Sequence, residues 1–311
     1  MAVEYASFGG WSKNLRLFND SIELIITLEV GPRIISFRPL NGKNIFKVVA
    51  DQRGKSQETD WKIRGGHRLW TAPEDFDRTV DGRSLTYVLD NSPVSHQIEG
   101  EHRVRVSHET SQPAKIHREM VVTLDAAGSR VQVEHHLTNR GDSPLEFAPW
   151  ALSVMAEGGY AIIPRPPIGA HPQDFLPNQS MIIWPFTDLS DGRLRLGRRV
   201  TKLTQSAGPP LKFGLRHAEK WVGYLRGEEL FLKTIPLIED AIYPDKGSNF
   251  ETFTNQEFLE LESLGPFGEV PGGQTVIHVE RWAVFSGVTL PDVEDEEVLL
   301  KAMEPYVQKL L

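Results

Sequence analysis

The chain has 311 residues, 40% of them hydrophobic and 24% charged, with a net charge of −8 and no cysteine. That length buries a sizeable core without covalent staples, and the missing cysteines exclude disulfides, thiol nucleophiles and thiolate metal sites. The acidic balance, with no basic run longer than Arg193 to Arg199, argues against nucleic acid or an anionic membrane as partner.

The opening residues lack a basic start followed by an apolar run, so no secretory leader is expected. No apolar stretch approaches the ~20 residues that span a bilayer, and a cytoplasmic protein is expected. Period-two patterning then dominates. Ile22 to Val30 is an apolar, β-branched run; Arg33 to Arg38 follows Gly31-Pro32; Asn41-Gly42 marks a tight turn before a strand at Ile45 to Val49. Met120, Val122 and Leu124 alternate with polar residues, and after a turn at Ala126 to Ser129 so do Val131, Val133, His135 and Leu137. This predicts an antiparallel hairpin with one buried face. Ile163 to Pro177 is proline-rich and reads as a long irregular loop, a common border of ligand sites. Near the end, Val276, His278, Glu280, Trp282 and Val284 share one face of a strand. The C-terminus is the one helix: acidic residues from Asp292 to Glu297 precede an apolar stripe of Val298, Leu299, Met303, Tyr306 and Leu310, with Pro305 expected to kink it. The fold class is therefore all-β, a large antiparallel β-sandwich with a C-terminal helix, with residues 1–311 forming a single domain.

Chemistry concentrates in four places. The first is Arg64-Gly65-Gly66-His67-Arg68-Leu69-Trp70-Thr71-Ala72-Pro73-Glu74. Paired glycines allow close backbone approach, while Arg68, Trp70 and Glu74 suit a sugar's hydroxyls and its apolar face. The same segment also reads as a bulge in which Arg68 pairs with Glu74 and the tryptophan fills the core. The second runs from Tyr243 through Asp245 to Glu251 and Asn255, turn chemistry followed by alternation. The third carries Glu260 and Glu262 on one strand face; crowding raises a carboxyl pKa and fits it for proton transfer, whereas a solvated strand face would look the same. The fourth is Pro144 to Met155, where Trp150 is either core or a stacking platform. No H-x-x-x-H or H-E-x-x-H spacing, nucleophile elbow or phosphate loop is present. His135 and His136 point to opposite faces of a strand, so they cannot chelate together.

Taken in order, these segments resemble the galactose mutarotase (aldose 1-epimerase) superfamily, closest to an uncharacterised bacterial branch. Val30-Gly31-Pro32-Arg33-Ile34-Ile35-Ser36 is similar to the opening strands with G-A-x-I, Arg64-Gly65-Gly66 to the element lining the sugar cleft, and Phe250 to Asn255 to Q-x-Y-T-x-N. Glu262 to Pro266 is similar to E-T-Q-x-x-P, whose Glu is the family's catalytic base, and Val270 to Gly273 to the P-G before the last strand. The resemblance implies a small-molecule carbohydrate ligand, no cofactor and no metal, and proton shuttling that opens and recloses an aldose ring. Glu262 would be the base, Arg64 and Arg68 would hold hydroxyls or, in a phosphosugar, the phosphate, and Asp245 and Glu251 would add hydroxyl contacts. The family's general-acid His lies in H-x-Y-F; the matching stretch here, Phe147 to Leu152, has Trp150 near that place and no His. Either His67 supplies the acid from another direction, or anomer interconversion is lost and a non-catalytic carbohydrate-binding protein remains.

Overall fold

A computed structural model describes residues 2–58, 60–74, 90–108, 116–292 and 294–311. Among these residues, two antiparallel sheets account for nearly all regular structure. The first runs, in spatial order, β1 (Val3–Phe8), β2 (Trp11–Phe18), β3 (Ile22–Thr27), β4 (Arg33–Pro39), β5 (Gly66–Ala72), β10 (Leu145–Met155), β19 (Leu259–Leu264), β18 (Phe250–Thr254), β15 (Leu211–Leu215) and β12 (Met181–Ile183), with β20 (Gly268–Val270) also pairing with β10. The second runs β13 (Leu194–Leu196), β14 (Val200–Thr204), β11 (Tyr160–Pro164), β16 (Trp221–Arg226), β17 (Glu229–Thr234), β21 (Thr275–Phe285), β9 (Arg130–Asn139), β8 (Ile116–Leu124), β7 (Arg103–His108) and β6 (Val94–Ile98). The hairpin expected around Ala126 to Ser129 is β8–β9, with Leu124 opposite Val131.

The inner faces pack together, as the alternation requires. Leu15, Leu24, Ile34 and Phe37 of the first sheet meet Val122, Val133, Phe231 and Trp282 of the second in one buried cluster. Each such side chain contributes about 1.5–3 kcal/mol on leaving water. Phe37, Phe46, Phe231 and Trp282 form its aromatic centre, with ring centroids 5.6–6.3 Å apart and mostly edge-on or tilted.

Buried polar groups fasten the two sheets through this core. Lys233 of β17 bonds Glu280 of β21 at 2.7 Å and Ser153 of β10 at 3.3 Å. Ser153 meets His67 Nδ1 at 2.9 Å, and His67 Nε2 lies 2.7 Å from His135 Nε2 of β9. His135 Nδ1 is 3.0 Å from the His278 carbonyl. A carbonyl only accepts, so His135 Nδ1 donates, its Nε2 accepts from His67, and His67 Nδ1 accepts the Ser153 hydroxyl proton. Burial favours these neutral imidazoles, pushing His135 and His278 down to about 3. Ser263 of β19 donates to Glu280 and accepts from His278 Nε2 at 2.6 Å.

Two local expectations change. Ile45 to Val49 forms no continuous strand; it pairs through the isolated bridges Phe46–Met155 and Val48–Gly65, because it meets the ends of two different strands. The C-terminal helix, α1 (Glu296–Leu310), continues through Pro305. That proline is exposed, so the carbonyl it leaves unpaired can meet water instead of breaking the helix. Leu299, Met303 and Leu310 pack on Ile162, Val200, Leu230 and Ala283 of the second sheet. The helix thus covers that sheet's outer face, while the first sheet's outer face carries the recess described next. No helix among the described residues is long and apolar enough to cross a membrane.

Candidate functional site

Cross-strand partners point to the same side of a sheet, so register alone assembles the site. Trp70 lies opposite Trp150, Arg68 and Glu262 both lie opposite Leu152, Glu251 lies opposite Glu262, Phe253 opposite Glu260, and Lys212 opposite Phe253. Five neighbouring strands thereby gather two tryptophans, two cations and three glutamates on one outer face. A cleft of about 200 Å³ sits over it. Arg68, Trp70, Glu74, Trp150, Glu260 and Glu262 all line this cleft, six of the ten residues singled out from the sequence.

The glycine pair positions the Arg68 strand. Gly65 and Gly66 have φ of +93° and +74°; a methyl group would run into the Lys47 carbonyl oxygen at the first and the Ile34 carbonyl oxygen at the second. Arg68 pairs with Glu260 at 2.8 Å, not with Glu74, and its guanidinium lies 4.2 Å from the Trp70 ring centroid. Burial pushes the Glu260 carboxyl up, and the Arg68 charge opposes it.

Glu262 is fully buried. Its Oε2 accepts from the Trp150 indole at 2.8 Å and the Lys212 ammonium at 3.1 Å, while its Oε1 has no hydrogen-bond partner. Lys212 also reaches Glu251 Oε2 at 2.8 Å and lies 4.7 and 4.8 Å from the Trp150 and Trp184 rings. Glu251 is buried beside this pair without lining the cleft. Burial pushes its carboxyl up to about 8; Lys212 pulls it down, and the nearby Glu262 and Asp245 charges add to the rise. Asp245 neighbours Glu251 from a tight turn in which its own φ is +49°.

Two expected residues lie elsewhere. His67 is fully buried on the inner face of β5, between Ser153 and His135, with its ring 4.5 Å from Trp282. It therefore does not face Glu262 across a shared hollow, and no imidazole lines the cleft among the described residues. Arg64 spends its guanidinium on Glu58, Asn91 and the carbonyls of Lys55 and Lys62; it ties these segments together and does not line the cleft. One atom each of His67, His135 and Glu280 lie within 4.8 Å of one another, a cation-sized grouping. Lys233 already supplies the positive charge there, and the two imidazoles hydrogen-bond each other.

Several lining residues carried no sequence signal: Trp61 and Ile63 before β5, Trp184 and Phe186 after β12, and Phe258 in the β18–β19 turn. Lys212 was detectable only as the polar alternate of Leu211 and Phe213.

No protein-family model matches the chain, and no characterised relative matches it by sequence. Solved structures do match in architecture, and they define the class as a two-sheet antiparallel β-sandwich. A galactose mutarotase related enzyme from Lactobacillus acidophilus matches with a TM-score of 0.56 at 10% identity, covering 88% of this chain and 98% of its own. A galactose mutarotase-like protein from Clostridium acetobutylicum gives 0.55 at 10% identity, covering 91% and 98%. One from Lactobacillus casei gives 0.54 at 10% identity, covering 88% and 100%. The chain has the galactose mutarotase-like fold.

Proposed function

We propose that the chain holds a monosaccharide in the aromatic cleft and acts on it as an aldose 1-epimerase-like isomerase, with Glu262 as the base. One observation carries this reading: Glu262 Oε1 is a buried carboxylate oxygen with no partner, in a cleft walled by tryptophans. Trp150 and Lys212 hold the other oxygen, so the free one is oriented to accept a proton. Indole faces suit the apolar face of a pyranose, and Arg68 and Lys212 supply donors for its hydroxyls. In the reaction, Glu262 Oε1 takes the proton of the anomeric hydroxyl. The electron pair left on the hydroxyl oxygen closes the carbonyl as the bond from C1 to the ring oxygen breaks, and the ring oxygen takes up a proton from the Lys212 ammonium, which recovers it when the ring recloses. Rotation at C1 and the reverse steps give the other anomer. Lys212 is the cationic donor nearest the base. Solved structures of the same fold bear the names galactose mutarotase-like and galactose mutarotase related, which supports a sugar ligand.

A second reading, a carbohydrate-binding protein without catalysis, is favoured by the burial of His67 away from the cleft. Saturation titration of tryptophan fluorescence with a panel of aldoses, joined to NMR measurement of anomer exchange, separates the two. Binding with accelerated exchange, lost roughly 100-fold or more in Glu262→Gln, supports the isomerase. Binding without acceleration establishes the second reading, and no binding by any aldose refutes both.

A further inference from the structure

A second recess, of about 740 Å³, lies where residues 42–53 meet the end of β10 and the β16–β17 turn. Its walls carry five cations, Arg38, Lys43, Lys47, Arg53 and Arg226, and one acid, Glu157. In a chain of net charge −8, that is a local reversal of sign. Lys47 answers Glu157, and Arg38 answers Glu23. Arg226 donates to the Glu157 and Asn44 carbonyls, which leave its charge uncompensated. Lys43 and Arg53 are exposed, and neither side chain meets a carboxylate among the described residues. Ser36 also lines the groove; it is fully buried, and its hydroxyl has no hydrogen-bond partner. Such groups are rare in folded proteins and point to a missing partner. Phe8, Phe46 and Val48 add apolar surface.

The groove adjoins the cleft. Val49 lines the groove and packs in one cluster with Ile63, Val154 and Phe258, and Ile63 and Phe258 line the cleft. Lys47, on the groove side, donates to the Glu257 carbonyl beside Phe258. One apolar cluster thus borders both recesses. A ligand that spans such a pair is a saccharide at one end and an anion at the other, and a few sugar units suffice for it because one apolar cluster borders both recesses.

We propose that this groove is an anion subsite, and that the chain's ligand is a short oligosaccharide carrying carboxylate or sulfate groups, its end sugar in the cleft and its charges against Lys43, Arg53 and Arg226. The proposal rests on the sugar reading of the cleft. Calorimetry on the full chain tests it with three probes: a trigalacturonate, a sulfated trisaccharide and a neutral trisaccharide. An anionic probe is expected to bind roughly tenfold or more tighter than the neutral one at low ionic strength, with the advantage shrinking as salt rises. Which anionic probe shows the larger advantage distinguishes carboxylate from sulfate. The double variant Lys43→Glu/Arg53→Glu should lose that advantage and bind the neutral probe as wild type does; both side chains are exposed, so the fold tolerates it. Equal binding of all three probes by wild type overturns the proposal, as does an advantage that survives the double variant. If no neutral sugar binds, yet an anionic probe binds in a salt-dependent and Arg53-dependent way, the groove stands and the cleft reading falls instead.

Discussion

Replacing Lys233 by methionine removes the cation at the centre of the polar core while nearly preserving side-chain length. Lys233 and Glu280 are both fully buried, with Nζ and Oε1 2.7 Å apart. At an effective dielectric of ~20, that separation corresponds to about 6 kcal/mol of attraction. Much of it offsets the cost of taking both ions out of water, so the pair's net worth is small, yet breaking it strands a charge. Ser263 and Trp282 still donate to Glu280, which places the expected loss at about 3–5 kcal/mol. Urea unfolding near neutral pH, followed by tryptophan fluorescence, measures it as a midpoint shift at constant slope. The double variant Lys233→Met/Glu280→Gln should recover more than half of the loss, because no buried ion is left uncompensated. A single-variant loss under about 1 kcal/mol, or a double variant as unstable as the two single losses added, would refute the account of Lys233 as the core's required counter-charge.

Stability should peak near pH 6.5. His135 and His278 are depressed to about 3, and His217 to about 4, from 6.5; their stabilising neutrality is lost as pH falls below 6.5, by about 1.4 kcal/mol per unit for each. Glu251 works the other way: raised from 4.5 to about 8, it holds a proton only in the folded state, and stability drops by about 1.4 kcal/mol per unit as pH rises between those values. Glu251→Gln should make the decline above pH 6.5 shallower by about 1.4 kcal/mol per unit, and an unchanged decline in urea titrations would reject the assignment. Gly65→Ala forces φ of +93° on a residue with a side chain and drives its methyl into the Lys47 carbonyl; a loss of about 3 kcal/mol is expected, and a thermal midpoint equal to wild type would contradict it. Trp150→Phe removes the donor to Glu262 Oε2 and should weaken binding of any aldose that wild type takes up, by roughly 3- to 10-fold, read by calorimetry; unchanged affinity would separate Trp150 from the ligand.

The strands were legible because alternation is a direct imprint of a sheet with one face buried. Glu260 and Glu262, two apart on β19, share a face, as their spacing requires. The same rule also forbids the role expected of His67. It is the chain neighbour of Arg68 within β5, so once Arg68 lines the cleft, His67 must face the core. Composition made the imidazole look available, while strand geometry disposed of it. Trp61, Trp184 and Phe186 could not be anticipated, because they arrive from irregular segments whose approach depends on tertiary packing. Arg64 looked like a ligand contact because its loop partners, Glu58 and the distant Asn91, leave no periodic trace.

The strands beneath the cleft are double-sided: Arg68, Leu152 and Glu262 look outward, and their immediate neighbours His67, Ser153 and Ser263 are riveted to the opposite sheet. The backbone under the cleft is consequently anchored from behind, independently of what the outward side chains do. Exchanging those outward groups can therefore reshape the lining of the cleft while the platform beneath it stays put.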